Sequence, residues 1–139
     1  MASPLAEIGA KAELDSLPGV LELISQAAGE AGMGPGPCAS LELAAEEIFV
    51  NIVNYAYGDQ PGEVTVGCSL AEDGLFEIVF SDQGAPFNPL QAPDPDLSSD
   101  LAHRQIGGLG ISLVRELSDR VSYTRQDHRN HLIIGKRIA

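Results

Sequence analysis

A short polar stripe interrupts an otherwise apolar segment near residue 50. Glu47, Asn51 and Asn54 are spaced by four and three residues, so on a helix they fall within an arc of about 60°. Asparagine costs a helix up to about 0.7 kcal/mol relative to alanine, and lysine or glutamate would serve solubility better. Amide oxygens beside a carboxylate suit a hard cation such as Mg²⁺, which needs few protein ligands when substrate phosphates supply the rest. The helix alone leaves a solvated stripe as an equal alternative.

A second polar element, Asp82-Gln83-Gly84, comes directly after an apolar, strand-like segment. An aspartate at a strand end accepts a hydrogen bond from an exocyclic amine of a ring inserted there. The glycine permits close approach to the backbone. Taken alone, these residues also fit an ordinary turn at the end of a strand.

A third element is the glycine cluster Gly107-Gly108-Leu109-Gly110, which opens a helical segment. Unpaired N–H groups and the positive end of the dipole make a helix N-terminus an anion site. The cluster is not a Walker A loop, because no Gly-Lys-Ser/Thr follows. It is not a dinucleotide fingerprint either, because no βαβ pattern surrounds it.

The periodicity of apolar residues predicts helices and strands that carry these motifs. Helices are expected at 13–31, from Ser40 to about Tyr57 with Ser40 as the N-cap, and at 111–118; strands are expected at 64–70, 75–81, 120–126 and 131–138. The first two strands form an antiparallel hairpin. The order of elements predicts an α+β two-layer sandwich in which helices cover one face of a mainly antiparallel, mixed sheet.

Composition limits the classes of protein and partner. The 139 residues favour one domain spanning 1–139, and 44% hydrophobic with 20% charged residues is typical of a globular chain. A net charge of -12 disfavours nucleic acid and anionic membranes as partners. An acidic surface suits a basic protein face, or serves solubility alone. With no signal-peptide pattern and no apolar run of 18 residues, a cytoplasmic protein is expected.

Cysteine and histidine give no sign of a metal or redox site. Cys38 and Cys68 lack paired spacing and are expected to act as small buried hydrophobes. The histidines at 103, 128 and 131 show no metal-ligand spacing on a helix.

The order of the motifs is more specific than any one of them. A helix with Glu-x-x-x-Asn, a strand with Asp-x-Gly, a long loop and Gly-x-Gly entering a helix follow one another from Leu41 to Ala139. This order resembles the GHKL superfamily of ATP-binding domains, which have a histidine-kinase-like, Bergerat-type fold. More closely, it is similar to the small anti-sigma factor serine/threonine kinases that phosphorylate anti-anti-sigma partners. The resemblance implies ATP and Mg²⁺ as cofactors.

The resemblance also implies roles for the helix and strand motifs. Glu47 matches the general base, and the four-residue spacing to Asn51 selects it over Glu46. Asn51 matches the amide that ligates Mg²⁺, and Asn54 lies where a polar residue supports that site. Asp82 matches the aspartate that recognises adenine, with Gly84 giving the base room.

Further roles follow for the loop. Gly108 and Gly110 match the glycines that face the phosphates, and residues 88–106 match an ATP lid from which Arg104 reaches toward them. One departure stands out in the last strand pair. Where many relatives have Gly-Thr, with a threonine that contacts the adenine side, this chain has Arg129-Asn130-His131.

The function implied is that of an ATP-dependent anti-sigma factor and serine-protein kinase. It would phosphorylate an anti-anti-sigma (STAS-type) protein, regulate the availability of a sigma factor and form a homodimer. The alternatives are a nucleotide-binding regulatory module without phosphotransfer and a pure interaction surface. Glu47 favours the kinase, because nucleotide binding alone needs no carboxylate there.

Overall fold

Five strands and the helices packed on one side of them make up the fold. The structure, a computed structural model, describes residues 3–88, 90 and 110–139. Its elements are β1 (Ser3–Lys11), a 3-10 helix (Leu14–Ser16), α1 (Leu17–Glu30), α2 (Pro35–Tyr55), β2 (Glu63–Leu70), β3 (Phe76–Asp82), α3 (Gly110–Leu117), β4 (Arg120–Gln126) and β5 (Arg129–Lys136). The predicted α+β two-layer architecture is confirmed.

The strands form one sheet in the order β1-β2-β3-β5-β4. Each adjacent pair is antiparallel, so the mixed character expected from the sequence is not found among the described strands. Because β5 lies between β3 and β4, residues distant in sequence become neighbours. Asp82 at the end of β3 is directly opposite Asn130 near the start of β5.

The hydrophobic core lies between the sheet and the helices. On β3, Phe76, Ile78 and Phe80 are buried in alternation, as the period of a half-covered strand requires. Asp82 continues this buried row. It therefore belongs to the strand rather than following it, and its carboxylate lies at the margin of the core.

The N-terminal strand β1 was not predicted. It pairs with β2, with Ile8 opposite Val66 and an irregularity between Pro4 and Ala6. Its sequence, SPLAEIGAK, contains proline, glycine and alanine, which have low strand propensity. The pairing with β2, which lies beyond two helices in the chain, stabilises a segment whose local pattern is weak.

The helix α2 begins at Pro35 rather than at the predicted Ser40. The residues before Ser40 include the run GPGP at 34–37, and glycine and proline disfavour the interior of a helix. Proline is well tolerated in the first turn, where its missing N–H would have no intrahelical partner. The same holds for α1, in which Pro18 lies in the first turn.

Both cysteines are free; Cys68 is buried and Cys38 half-buried. Burial raises the pKa of the Cys68 thiol to about 11, so the thiol remains protonated at neutral pH, consistent with the predicted role as a small hydrophobe. Among the described helices, none combines the length and apolar character that a membrane crossing needs.

Candidate functional site

A largely apolar pocket opens beside the end of β3. Its walls come from α2, the residues after β3, the start of α3, and strands β4 and β5. The lining residues are Ile48, Asn51, Ile52, Tyr55, Ala56, Asp82, Ala85, Phe87, Ile111, Tyr123, Asn130 and Leu132. The sequence-predicted residues Asn51 and Asp82 therefore share one pocket.

The Asp82 carboxylate is the buried acidic group of this pocket, with 5% of the residue exposed. The Gly84 N–H donates a hydrogen bond to Oδ1 at 2.9 Å, and the Asn130 Nδ2 donates to the same oxygen at 2.9 Å. Within the described residues, no hydrogen bond reaches Oδ2. A ligand with an N–H donor would satisfy this acceptor.

Asn130 lines the pocket, and the sequence analysis noted it only as a departure. Its Nδ2 also donates to the Ala85 carbonyl at 2.9 Å, and the Tyr123 hydroxyl donates to its Oδ1. The signal in the sequence is the β5 alternation. Asn130 shares a face with buried Leu132 and Ile134, and a buried polar side chain in an apolar row needs partners.

Gly84 lies against the end of α2. A Cβ at this position would collide with the carbonyl oxygen of Ala56, and the Ala85 N–H donates to that same oxygen at 3.2 Å. The glycine therefore lets β3 and the end of α2 approach closely. The sequence analysis expected Gly84 to make room for a nucleotide base. The neighbour that the structure shows at this glycine is the end of α2.

The polar residues of the α2 stripe do not all lie in the pocket. Asn51 is half-buried and lines the pocket. Glu47 is half-buried one turn earlier, and its pKa is raised, first by burial and then by the negative charge of Glu46. Asn54 is exposed and is not among the lining residues. Thus the structure brings Asn51, but not Asn54, to Asp82.

Two exposed aromatic rings stand at the pocket. Tyr55 and Phe87 are 40% and 50% exposed, and their ring centroids are 6.4 Å apart with an interplanar angle of 39°. Sequence reasoning missed both as site residues. Their faces offer a planar ligand a stacking surface beside the acceptor carboxylate.

The glycine loop is only partly described. Gly110 begins α3, and Ile111 lines the pocket. Gly108, Arg104 and most of the 88–106 segment lie outside the described residues. At the start of that segment, the Arg115 guanidinium of α3 donates to the Leu90 carbonyl at 2.6 Å.

The described residues contain no group of three His, Cys, Asp or Glu side chains able to hold a metal ion. A cation beside Asn51 would therefore take most of its ligands from a bound substrate and water.

A buried acceptor carboxylate and a half-buried amide in one apolar pocket, on an α+β sandwich, are suited to holding a nucleotide base and its metal. The chain belongs to the histidine kinase-like ATPase domain family, whose model matches residues 10–136.

Curated relatives include two bacterial kinases. The chain is 35% identical to the serine/threonine-protein kinase BtrW of Bordetella bronchiseptica over 102 residues, covering 72% of this chain and 70% of the relative. It is 37% identical to the serine-protein kinase RsbW of Listeria monocytogenes over 120 residues, covering 83% and 74%.

A solved structure shares the fold. The structure of the RsbU and RsbW domains of a Mycobacterium tuberculosis protein matches with a TM-score of 0.66 at 15% identity, covering 96% of this chain. The match covers 32% of the solved chain, so the present chain spans about a third of its length.

Proposed function

We propose that this protein is an ATP-dependent serine-protein kinase that phosphorylates an anti-anti-sigma (STAS-type) partner and so controls the availability of a sigma factor. The observation that carries the proposal is the buried Asp82 carboxylate, which lines an apolar pocket together with Asn51. The kinase names of the curated relatives support the reaction type.

Asp82 would recognise the base. Its Oδ2 would accept a hydrogen bond from the exocyclic amine of adenine, and the exposed rings of Tyr55 and Phe87 would stack on the base. Backbone N–H groups around Gly108 and Gly110 would hold the phosphates, with Arg104 adding a positive charge.

Asn51 would offer its amide oxygen to Mg²⁺, whose other ligands would be phosphate oxygens and water. When bound, Mg²⁺ supplies charge neutralisation for phosphoryl transfer. Asn54 is exposed, so any support it gives this site would act from outside the pocket.

Glu47 would take the proton of the attacking serine hydroxyl. A general base works best when its pKa lies near the operating pH, and the raised pKa of Glu47 moves in that direction. The carboxylate lies one helical turn from Asn51, so base and metal ligand share one rigid element.

The proposed partners fit the charge of the chain. With a net charge of -12, the surface suits basic patches on an anti-anti-sigma protein or a sigma factor. Such partners would place the protein in the cytoplasm, and a homodimer would be its working form.

Calorimetric titration with ADP and Mg²⁺ tests the nucleotide site. We expect the wild-type chain to bind, and Asp82→Ala and Asn51→Ala to lose binding. Ser81→Ala is a matched control: its hydroxyl bonds His131 at 2.8 Å, outside the pocket, and binding should persist. Well-folded wild-type protein that does not bind ADP contradicts the proposal.

Transfer is tested with γ-labelled ATP and a purified anti-anti-sigma protein, with its serine-to-alanine variant as the control substrate. Glu47→Gln should bind ADP like the wild type and transfer phosphate about 10²- to 10⁴-fold more slowly. Unchanged transfer would remove Glu47 from the mechanism. Binding without any transfer by the wild type would favour the nucleotide-binding regulatory module.

A further inference from the structure

We infer that Asn130, held by Tyr123, is a positioning residue that sets the base preference of the pocket. It makes the site favour a purine with an exocyclic amine at C6 over one with a carbonyl there. This inference rests on the proposed nucleotide site. It concerns Tyr123 on β4 and Asn130 on β5, of which Asn130 lies directly opposite Asp82 in the sheet.

The orientation of the Asn130 amide is fixed by three partners. Its Nδ2 donates to Asp82 Oδ1 and to the Ala85 carbonyl, both at 2.9 Å, and its Oδ1 accepts from the Tyr123 hydroxyl. A flipped amide would set its oxygen against a carboxylate and a carbonyl, with the NH₂ group facing the hydroxyl. Three acceptors would then meet, so the observed orientation is strongly favoured.

This arrangement divides the two oxygens of Asp82 between protein and ligand. Oδ1 accepts from both Gly84 and Asn130, which uses its two lone pairs. Oδ2 receives no hydrogen bond from the described residues. A ligand amine would donate a hydrogen bond to Oδ2, whereas a ligand carbonyl oxygen placed there would be repelled by the carboxylate.

Discrimination depends on keeping the carboxylate in place. The terminal torsion of an aspartate side chain is broad, so its partners determine where Oδ2 points. With the hydrogen bond from Gly84 alone, the Asp82 carboxylate could still rotate about that single contact. The second bond, from a strand directly opposite in the sheet, fixes the plane of the carboxylate.

Calorimetric titrations of the full-length chain with ADP and with inosine diphosphate (IDP), both with Mg²⁺, test the inference. IDP carries a carbonyl where ADP carries the amine. The wild type should prefer ADP. Asn130→Ala should weaken ADP binding about tenfold or more while changing IDP binding little, so the ratio of the two affinities falls.

Two further variants separate positioning from packing. Asn130→Asp keeps the size of the side chain but sets a carboxylate against a carboxylate, and the ADP/IDP ratio should fall at least as far as in Asn130→Ala. Tyr123→Phe removes the donor to Asn130 Oδ1 while keeping the ring, and the ratio should fall by a smaller factor. This variant decides the matter if the Asn130 variants do not fold.

Tyr57→Phe is the matched control. The Tyr57 hydroxyl accepts from the Gln83 N–H at 2.8 Å, next to Asp82, but it has no bond to the Asp82–Asn130 pair. The ADP/IDP ratio of this variant should equal that of the wild type.

The outcomes distinguish the two levels of the proposal. Variants of Asn130 and Tyr123 that retain the wild-type ratio, with equal losses for both nucleotides, overturn the positioning role and leave the nucleotide site standing. A wild type that binds ADP and IDP equally also overturns the base preference. A folded wild type that binds neither nucleotide contradicts the proposed function itself.

Discussion

The Glu47 carboxylate is maintained at some cost to stability. Because folding raises its pKa, by burial and by Glu46, the native state binds the proton more tightly than the unfolded chain. That stabilisation is fully present below the unfolded pKa and is lost as the pH rises through the folded pKa. At neutral pH the ionised group therefore opposes folding, as expected of the proposed general base.

Replacing Glu47 by glutamine should accordingly increase the free energy of unfolding at pH 7. The gain should disappear below about pH 4, because the carboxyl is then protonated in the unfolded chain as well as in the native state. Urea unfolding at the two pH values measures the difference.

Glu22→Gln, at an exposed position on α1, is the matched control, since it removes the same unit of charge without relieving a buried group. A gain at pH 7 that is equal in both variants would show that only net charge, and not the burial of Glu47, is involved.

Some residues of the pocket could be predicted from their residue type and their position in the sequence. Asp82 and Asn51 follow from their place at the end of an apolar strand and on a polar stripe. Asn54 belongs to the same stripe by angle but is exposed, because the pocket meets only one edge of the stripe. The alternation of β5 places Asn130 on the buried face, but its partner Asp82 lies 48 positions away, and no local pattern indicates that pairing.

The close contact between the end of β3 and the end of α2 depends on the absence of a side chain at Gly84. Gly84→Ala would set a Cβ against the Ala56 carbonyl, and because the obstacle is backbone, the helix end or the strand exit has to move. We expect a loss of about 1 to 3 kcal/mol in the free energy of unfolding. ADP affinity should fall as well, because Asp82 and Ala85 move with the strand exit. Thermal unfolding with and without ADP measures both effects.

Gly29→Ala provides the comparison for that substitution. Gly29 lies in the last turn of α1, and a Cβ there has no atom within 4 Å. The same chemical change should therefore stabilise the chain by up to about 1 kcal/mol. Destabilisation in both variants would mean that flexibility, rather than close approach, is what Gly84 provides.

The strand β1 could not be predicted from its local sequence pattern, because it forms through its pairing in the sheet. The regular alternation of β2 and β3 made both strands predictable. In contrast, β1 has only Leu5 and Ile8 as large apolar residues and exists through its pairing with β2. The helix α2 was misjudged for a different reason: proline breaks a helix in its interior, whereas Pro35 occupies the first turn.

The contribution of β1 should be measurable at Ile8, which packs against the core and pairs with Val66. Because Ile8 is half-buried, Ile8→Ala should cost about 1 to 2 kcal/mol, below the range for fully buried sites. Denaturant titration measures the loss. The adjacent Glu7→Ala, at an exposed position, should change stability by less than about 0.5 kcal/mol. Equal effects at the two positions would mean that β1 is not docked.

Over the molecule as a whole, long-range repulsion opposes a few local attractions. The chain carries 20 acidic and 8 basic residues, and such an excess destabilises the compact state through self-repulsion. The opposing ion pairs include Arg120 with Asp73 and Glu77, at 2.5 and 3.0 Å. Arg120 and Asp73 have side chains 41% and 52% exposed, and pairs of this kind contribute little.

Salt screens both the repulsion among the acidic residues and the attraction within the ion pairs. The direction in which salt shifts the thermal midpoint therefore shows which of the two is larger. Raising NaCl from about 0.02 M to about 0.5 M shortens the screening length to a few ångströms and should increase the thermal midpoint, because repulsion among the excess acids outweighs the exposed pairs. Arg120→Ala separates the terms: it loses the local pairs and adds one net negative charge, so its midpoint should rise more steeply with salt than that of the wild type. A midpoint that falls with salt would mean that local pairing, and not the net charge of -12, controls the electrostatic part of stability.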